Sequence, residues 1–150
     1  MKISFDLDDT IIPGTKTFET ERQTLLHQFL GLERIRKGTI ELFAALRRDK
    51  HEIGIYTTSY RSEFNIRLTF LLNGFRVDFA INQQTHLDRL KYMQIKPSKY
   101  PNEFGIDIHV DDSKGVEMEG EKYNFRTIII DENEPNWSNK ILEKIKSYSH

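Results

Sequence analysis

Two aspartates one residue apart end the first apolar run of the chain, in Phe5-Asp6-Leu7-Asp8-Asp9-Thr10. In an extended strand, residues two apart project to the same side, so Asp6 and Asp8 would face each other if the strand continued through them. Two unit charges about 4 Å apart repel by roughly 4 kcal/mol at an effective dielectric of about 20. This stretch therefore predicts a bound cation or a shared proton.

Similar polar residues follow two later strands predicted from the sequence, and two lysines lie in the loop before one of them. These residues are Thr57, Thr58 and Ser59, then Lys96 and Lys99, then Asp111 and Asp112, with Glu117 shortly beyond. In an open parallel sheet, ligands bind outside the carboxyl ends of the strands. Acids that suit Mg²⁺, hydroxyls that suit phosphate and a cation are thus predicted to meet at one edge of a sheet.

The elements that must position these residues alternate short β-rich runs with helical stretches, which predicts an α/β fold with a mainly parallel sheet. A single domain over residues 1–150 is expected, since this length buries about 70% of the surface that the unfolded chain exposes. The five predicted strands are Lys2 to Phe5, Glu52 to Tyr56, Val77 to Ile81, Ile106 to Val110 and Phe125 to Ile130.

Helices are predicted from capping residues and apolar spacing. Residues 20–23 resemble a capping box that opens a helix ending at Gly31, and Asn73-Gly74 ends another. The apolar faces of these two helices comprise Leu25, Leu26 and Phe29 in the first, and Phe64, Leu68, Leu71 and Leu72 in the second. Further helices are predicted over Gly38 to Arg48, Thr85 to Tyr92 and Trp137 to Tyr148.

Composition excludes several classes of function. The chain has no cysteine, which excludes disulfides, thiolate metal sites and a cysteine nucleophile. With 22 basic and 23 acidic side chains, nothing in the overall charge favours nucleic acid or a membrane surface. The amino-terminal residues do not resemble a signal peptide and the apolar runs are short, so we expect a cytoplasmic protein without a membrane span. Homo-oligomerisation stays open.

The acidic and hydroxyl residues occur in an order that resembles the haloacid dehalogenase-like (HAD) superfamily. Asp6-Leu7-Asp8-Asp9-Thr10 resembles its first motif, DxDx[TV], and Tyr56-Thr57 its second. Val110-Asp111-Asp112-Ser113 resembles its fourth, and a lysine before that strand matches its third. The resemblance implies a three-layer Rossmann-like fold and a Mg²⁺-dependent phosphatase that hydrolyses phosphate monoesters.

The same resemblance implies a role for each matched residue. Asp6 would be the nucleophile that forms a phosphoaspartyl intermediate, and Asp8 the general acid and then the general base. Mg²⁺ would be held by the Asp6 carboxylate, the Asp8 backbone carbonyl and Asp112, with Asp111 acting directly or through water. The phosphoryl group would be held by Thr57, with Thr58 and Thr10 as further substrate contacts, and by a lysine, for which Lys99 is preferred to Lys96.

The segments where the superfamily carries its larger caps are short in this chain. This implies a nearly capless member, with residues 13–19 as a flap and residues 83–100 as a partial rim. The substrate is a phosphorylated small molecule or macromolecule that the sequence does not specify.

Structural interpretations compete at several positions. Thr58 and Ser59 would equally well cap the following helix, Arg61 is either a surface residue or a substrate contact, and His109 is predicted to be a packed, hydrogen-bonded residue. A receiver domain is disfavoured because Asn82, not an aspartate, follows the third strand. A catalytically silent phosphate-binding module on the same fold is the other alternative. A nucleotide-binding Rossmann protein is disfavoured, because no glycine-rich turn follows the first strand.

Overall fold

The computed structural model describes residues 1–148 and contains a parallel sheet of five strands in the order β3-β2-β1-β4-β5. The strands are β1 (Lys2–Phe5), β2 (Glu52–Tyr56), β3 (Phe79–Ile81), β4 (Ile108–Asp111) and β5 (Arg126–Ile129). The predicted parallel α/β fold of Rossmann type is confirmed, and β1 and β2 have the predicted bounds.

The third and fourth strands begin later than predicted, for reasons visible in their hydrogen bonds. Before β3, the Asp78 carboxylate accepts from the backbone N–H of Ile53 at 2.8 Å, so a side chain takes the place of a ladder bond. Before β4, the Ile106 N–H donates to the carbonyl of Pro101, which closes a 3₁₀ turn over Pro101–Phe104. Strand β4 then continues through Asp111, which pairs with Ile129.

Six helices flank the sheet within the described residues: α1 (Leu25–Phe29), α2 (Thr39–Arg48), α3 (Glu63–Leu72), α4 (Gln83–Leu90), α5 (Lys114–Tyr123) and α6 (Trp137–Tyr148). Helix α5 has no counterpart among the sequence predictions, because it buries little more than Val116 and Gly120. Helix α6 agrees with the prediction and buries Trp137, Ile141 and Ile145. None of the helices in residues 1–148 is long and apolar enough to cross a membrane.

The predicted start of the first helix is wrong. Helix α1 is capped by Thr24, whose hydroxyl accepts from the His27 N–H while the His27 ring accepts from the Thr24 N–H. Thr20 instead forms an isolated bridge with Arg36. No residue of α1 is buried, and Phe29 is 86% exposed. The apolar face predicted for this helix therefore faces outward.

Helix α3 also carries its predicted apolar stripe on the outside. Phe64 is 71% exposed, whereas Ile66 and Phe70 of the same helix are buried against the sheet. The helix ends as predicted before Asn73-Gly74, where Gly74 has a φ of +93°. Helix α3 is therefore apolar on two sides, of which one packs into the core.

The core lies around β1 and β2, whose inner residues have no exposed surface. Phe5 of β1 contacts Phe43 of α2, which in turn contacts the rings of Phe70 and Phe75. In the sheet, β1 lies beside β4. Strands β2 and β3 lie on one side of this pair, and β5 lies on the other. The crevice at the carboxyl ends of β1 and β4 is therefore the topological switch point, where ligands of open α/β sheets bind.

Candidate active site

Three carboxylates converge at the carboxyl ends of β1 and β4. Asp6 continues β1 by one residue, because its N–H donates to the Val110 carbonyl at 2.9 Å. One carboxylate oxygen from each of Asp6, Asp111 and Asp112 lies within 4.8 Å of the others. Asp6 and Asp111 are buried, and Asp112 is partly exposed. The structure thus brings together three of the four predicted metal ligands through their side chains.

Lys99 is the lysine that reaches this cluster. Its side chain is 2% exposed, and its Nζ donates to Asp6 Oδ1 at 2.5 Å and to the Tyr56 carbonyl at 2.8 Å. Its Nζ also lies 3.6 Å from Asp111 Oδ2. Lys96 is exposed, and its Nζ is directed at backbone carbonyls at the end of α4. The geometry therefore places Lys99, and not Lys96, beside the predicted nucleophile.

The backbone around Lys99 is fixed by helix α5. The Glu119 carboxylate accepts from the N–H and hydroxyl of Ser98 and from the Lys99 N–H. The Tyr100 N–H donates to the Tyr56 hydroxyl at 2.9 Å, which ties the same loop to the end of β2. These bonds hold the lysine ammonium in a buried position without a helix or strand of its own.

The surroundings of Asp6 and Asp111 shift their pKa values in opposite directions. Burial raises the pKa of Asp6 to about 7, against the opposing effect of Lys99, and the neighbouring charge of Asp111 adds to the rise. Burial alone would also raise the pKa of Asp111, but hydrogen bonding to His109 and the charge of Lys99 lower it to about 2. At neutral pH this site therefore holds more negative charge than Lys99 balances, and a second cation would relieve it.

His109 is packed and hydrogen-bonded, as predicted. Its ring has no exposed surface, with Nδ1 2.7 Å from Ser4 Oγ and Nε2 3.0 Å from Asp111 Oδ2. Burial lowers its pKa, so the neutral ring can donate from Nε2 to Asp111 while Nδ1 accepts from the Ser4 hydroxyl. His109 therefore orients Asp111 from inside the sheet.

Asp112 is held by two residues from the segment after β1. Thr10 donates from its hydroxyl to Asp112 Oδ1 at 3.0 Å, and the Lys16 ammonium lies 2.6 Å from Asp112 Oδ2. Thr10 has no exposed surface and supports Asp112 through this bond, and its role as a substrate contact stays a prediction. Lys16 was missed by the sequence analysis, because a lysine in a loop carries no spacing signal.

The predicted flap, residues 13–19, is organised by Asp9. This residue has a φ of +64°, and its carboxylate accepts from the Gly14 N–H, the Thr15 hydroxyl and the Lys16 N–H at 2.7–3.0 Å. Burial opposes the shift, but these three hydrogen bonds lower the pKa of Asp9. The turn at Asp9 explains why strand alternation stops at Asp6, and why the flap returns over Asp112.

Asp8 lies apart from the three-carboxylate cluster and forms a bidentate ion pair. Arg61 donates from Nη1 and Nη2 to the two Asp8 oxygens at 2.9 Å, and from Nε and Nη2 to Glu33 at 2.8 and 2.6 Å. These bonds raise the pKa of Arg61, with Glu33 contributing most. Arg61 is thus part of the site mouth and not an isolated surface charge. Glu33 was missed by the sequence analysis, since nothing in its spacing links it to Arg61.

The hydroxyl residues after β2 differ in position. Thr57 is buried, and its Oγ1 accepts from the Ser59 N–H at 3.1 Å, which leaves its hydroxyl hydrogen able to donate. Thr58 is exposed. Neither Thr58 nor Ser59 caps the following helix, because Ser62 accepts from the Asn65 N–H at the start of α3. Glu117 lies exposed in the first turn of α5.

Comparisons with protein-family models, curated proteins and solved structures found no match to this chain.

The donor set fits a small hard cation. Asp6, Asp111 and Asp112 offer only oxygen ligands, which suit Mg²⁺ and Mn²⁺ and do not favour softer metals. The pKa of Asp6 near 7 indicates that one of these carboxylates is charged at an energetic cost unless a further cation is present. The contribution of the Asp8 backbone carbonyl stays a prediction.

Lys16 is expected to compete with a divalent cation for Asp112. Substitution Lys16→Met removes the ammonium that now neutralises Asp112, so the affinity for Mg²⁺ should rise about twofold to fivefold, since a partly exposed ion pair contributes roughly 0.5–1 kcal/mol. Isothermal titration calorimetry of the metal-free protein with Mg²⁺ measures this change in affinity. The matched control is Lys37→Met, which removes the exposed partner of Glu19 and should leave the affinity unchanged. A weaker affinity in Lys16→Met would show that Lys16 supports the metal site.

Proposed function

We propose that this chain is a Mg²⁺-dependent phosphatase that hydrolyses phosphate monoesters through a phosphoaspartyl intermediate on Asp6. The observation that carries the proposal is the convergence of Asp6, Asp111 and Asp112 around the buried Lys99 ammonium at the switch point of the sheet. The order of the motifs, which resembles the HAD superfamily, supports it. The proposed substrate is a phosphorylated molecule.

The first half-reaction would use Asp6 and Asp8. A carboxylate oxygen of Asp6 attacks phosphorus, the bond from phosphorus to the ester oxygen breaks, and that oxygen takes a proton from Asp8. Asp8 must first exchange its pairing with Arg61, because both of its carboxylate oxygens accept hydrogen bonds from the guanidinium. Lys99 remains beside Asp6 throughout and offsets the charge of the transferring phosphoryl group.

The second half-reaction would regenerate the enzyme. Water adds to phosphorus, Asp8 takes its proton, and the acyl phosphate splits into phosphate and the Asp6 carboxylate. The Thr57 hydroxyl, at the end of β2, would donate to a phosphoryl oxygen, because its oxygen accepts from the Ser59 N–H and its hydrogen stays available. Asp6, the Asp8 carbonyl and Asp112, with Asp111 acting directly or through water, would hold Mg²⁺, which would supply positive charge for the phosphoryl oxygens. Thr10 and His109 keep two of these ligands in place.

The proposal is tested by phosphate release from an aryl phosphate and a panel of phosphate monoesters, with Mg²⁺ and with chelator. We expect release that requires Mg²⁺, and protection of the protein against thermal unfolding by beryllium fluoride with Mg²⁺, a mimic of the acyl phosphate. Binding of the mimic without turnover of any ester would favour the catalytically silent phosphate-binding module. If the protein neither releases phosphate nor binds the mimic, both functions are contradicted.

A further inference from the structure

A cavity of about 350 Å³ opens beside Asp8, between the segment after α1 and helix α3. Its walls combine apolar side chains, which include Leu7, Leu30, Leu32 and Leu68, with the polar ones of Glu33, Arg61, Asn65 and Thr69. Its volume lies at the small end of the range for ligand pockets, about 300–1,000 Å³. Apolar side chains together with a few polar groups are typical of a site that encloses part of a small molecule.

The charged residues of this cavity lie on the Asp8 side of the candidate active site. Arg61 and Glu33 line the cavity, and Arg61 donates to both Asp8 oxygens. Leu7, which separates Asp6 from Asp8 in the chain, forms part of its wall. In the proposed mechanism Asp8 protonates the departing oxygen, so the group attached to that oxygen would extend from Asp8 toward this cavity.

The charges on this side disfavour a second anionic group on the substrate. Four of the five N–H groups of Arg61 are already donated, two to Asp8 and two to Glu33. In the proposed first step Asp8 is protonated and has left Arg61, so Glu33 is the carboxylate that stays paired with this guanidinium. A leaving group that brought a further phosphate or carboxylate would have to compete with Glu33 for that one cation.

The rim of the cavity continues into an exposed apolar surface. Leu30 lines the cavity and is also 48% exposed, so it stands at the mouth. On α3, Phe64, Leu68 and Leu71 share one face by helical spacing, and Leu68 lines the cavity. His27 bonds the Leu72 carbonyl at 2.8 Å, which joins α1 to this face. An apolar chain longer than the cavity would therefore leave it along an apolar surface.

We infer that this cavity is the leaving-group subsite, and that the substrate is a phosphate monoester of an uncharged, apolar alcohol or phenol. The inference rests on the proposed phosphatase function and names its substrate class. Hydrolysis would release that alcohol, with the proton of Asp8 on its oxygen, into the cavity beside Leu7. Nucleotides and sugar phosphates, whose leaving groups are polar, would be poor substrates.

The test compares kcat/KM for ethyl, butyl, hexyl and phenyl phosphate with AMP and glucose 6-phosphate as polar comparators. We expect kcat/KM to rise about twofold to fourfold per added methylene until the cavity is filled, because each buried methylene is favourable by about 0.8 kcal/mol. Variant Leu68→Trp fills the cavity and should flatten this series. Its matched control is Leu71→Trp, on the same face of α3 but outside the cavity lining, which should keep the series.

A second variant guards against misfolding of the first. Leu30→Trp occupies the cavity mouth from an exposed position, so the fold should survive, and it should also flatten the series. Phosphate release without chain-length dependence, or a preference for AMP, would overturn the inference and leave the phosphatase function standing. No release from any ester would contradict the phosphatase function and the inference with it. A dimer in sedimentation experiments that Phe64→Glu dissociates would also overturn it, because a second copy would close the mouth.

Discussion

Substitution Asp6→Asn is expected to abolish phosphate release and, in the absence of metal at pH 8, to make the protein more stable. Release should fall by about 10³-fold or more, because the amide cannot form the acyl phosphate. The gain in stability follows from the burial of Asp6, whose pKa is raised from 3.8 to about 7 in the folded protein. The proposed nucleophile and metal ligand would thus destabilise the protein when no metal is bound.

The sign of the stability effect depends on pH. Between pH 3.8 and about 7 the folded protein keeps a proton on Asp6 that the unfolded chain releases, so the contribution of Asp6 to the free energy of unfolding decreases as pH rises through this window. Above it, the buried charge costs on the order of 2–4 kcal/mol. Asparagine avoids that cost. At pH 8 we therefore expect a melting temperature higher by about 5–10 °C in chelator, and at pH 4.5 little difference.

The matched control is Asp8→Asn, the same chemical change two residues away. Asp8 is half-exposed and pairs with Arg61, so its contribution to stability should be less than about 1 kcal/mol at either pH. Thermal melts of both variants at the two pH values, with and without Mg²⁺, decide the question. If Asp6→Asn lowered the melting temperature at pH 8 by several degrees, Asp6 would be a structural partner of Lys99, and the account of the site would fail.

Positions at the ends of the central strands could be predicted from the sequence because the topology of a parallel sheet places them. Strands β1 and β2 are buried on both faces, so their apolar runs stand out, and the acids that follow β1 and β4 meet at the switch point. Neighbouring strands in a parallel sheet have their carboxyl ends at the same edge, independently of the loops that connect them. Asp6, Asp111 and Asp112 were therefore accessible to prediction.

Contacts made through loops could not be predicted in the same way. Lys16 reaches Asp112 only because Asp9 turns the flap back with three hydrogen bonds, and no periodic pattern links residues 16 and 112. The Arg61 pair with Glu33 depends likewise on how the segment after α1 meets α3. Lys99 reaches Asp6, and Lys96 does not, because Glu119 and the Tyr56 hydroxyl hold the backbone of residues 99 and 100. The sequence gives no sign of these two contacts.

The spacing of apolar residues predicted where the helices are, but it did not predict which face of each helix packs against the sheet. Helix α3 has apolar residues on opposite sides, with Ile66 and Phe70 inside and Phe64 and Leu71 outside. Periodicity detects that a face is apolar, and it does not say which of two apolar faces the sheet covers. The face that stays outside is the one that borders the cavity beside Asp8, so the error in the predicted face coincides with a surface available for function.

Substitution Lys99→Met is expected to have the largest effect on stability of any change in the site. The methionine fills most of the space of the lysine stem but leaves Asp6 and Asp111 buried without their common cation. Removing one partner of a buried ion pair typically costs about 3–5 kcal/mol. We expect the free energy of unfolding in chelator at pH 8 to fall by about that amount, measured by urea denaturation, and phosphate release to fall by about 10²-fold or more.

Two conditions should partly restore the stability of this variant. Mg²⁺ would supply a cation to the same carboxylates, so the loss should be smaller in its presence than in chelator. Lowering the pH to 5 should also help, because the pKa of Asp6 is already raised to about 7 in the native protein and its carboxyl group would be protonated. A lysine that acted only by packing its stem would give a loss independent of metal and pH.

The matched control is Lys96→Met, three residues earlier in the same loop. Lys96 is exposed and its Nζ is directed at the carbonyls of Leu90 and Lys91, so its removal should change stability by less than about 0.5 kcal/mol and leave turnover unchanged. If Lys96→Met lost activity while Lys99→Met kept it, the phosphate-neutralising lysine would be Lys96. The buried Lys99 would then serve only to hold Asp6 and Asp111 together, because one ammonium cannot both be dispensable for turnover and offset the charge of the transferring phosphoryl group.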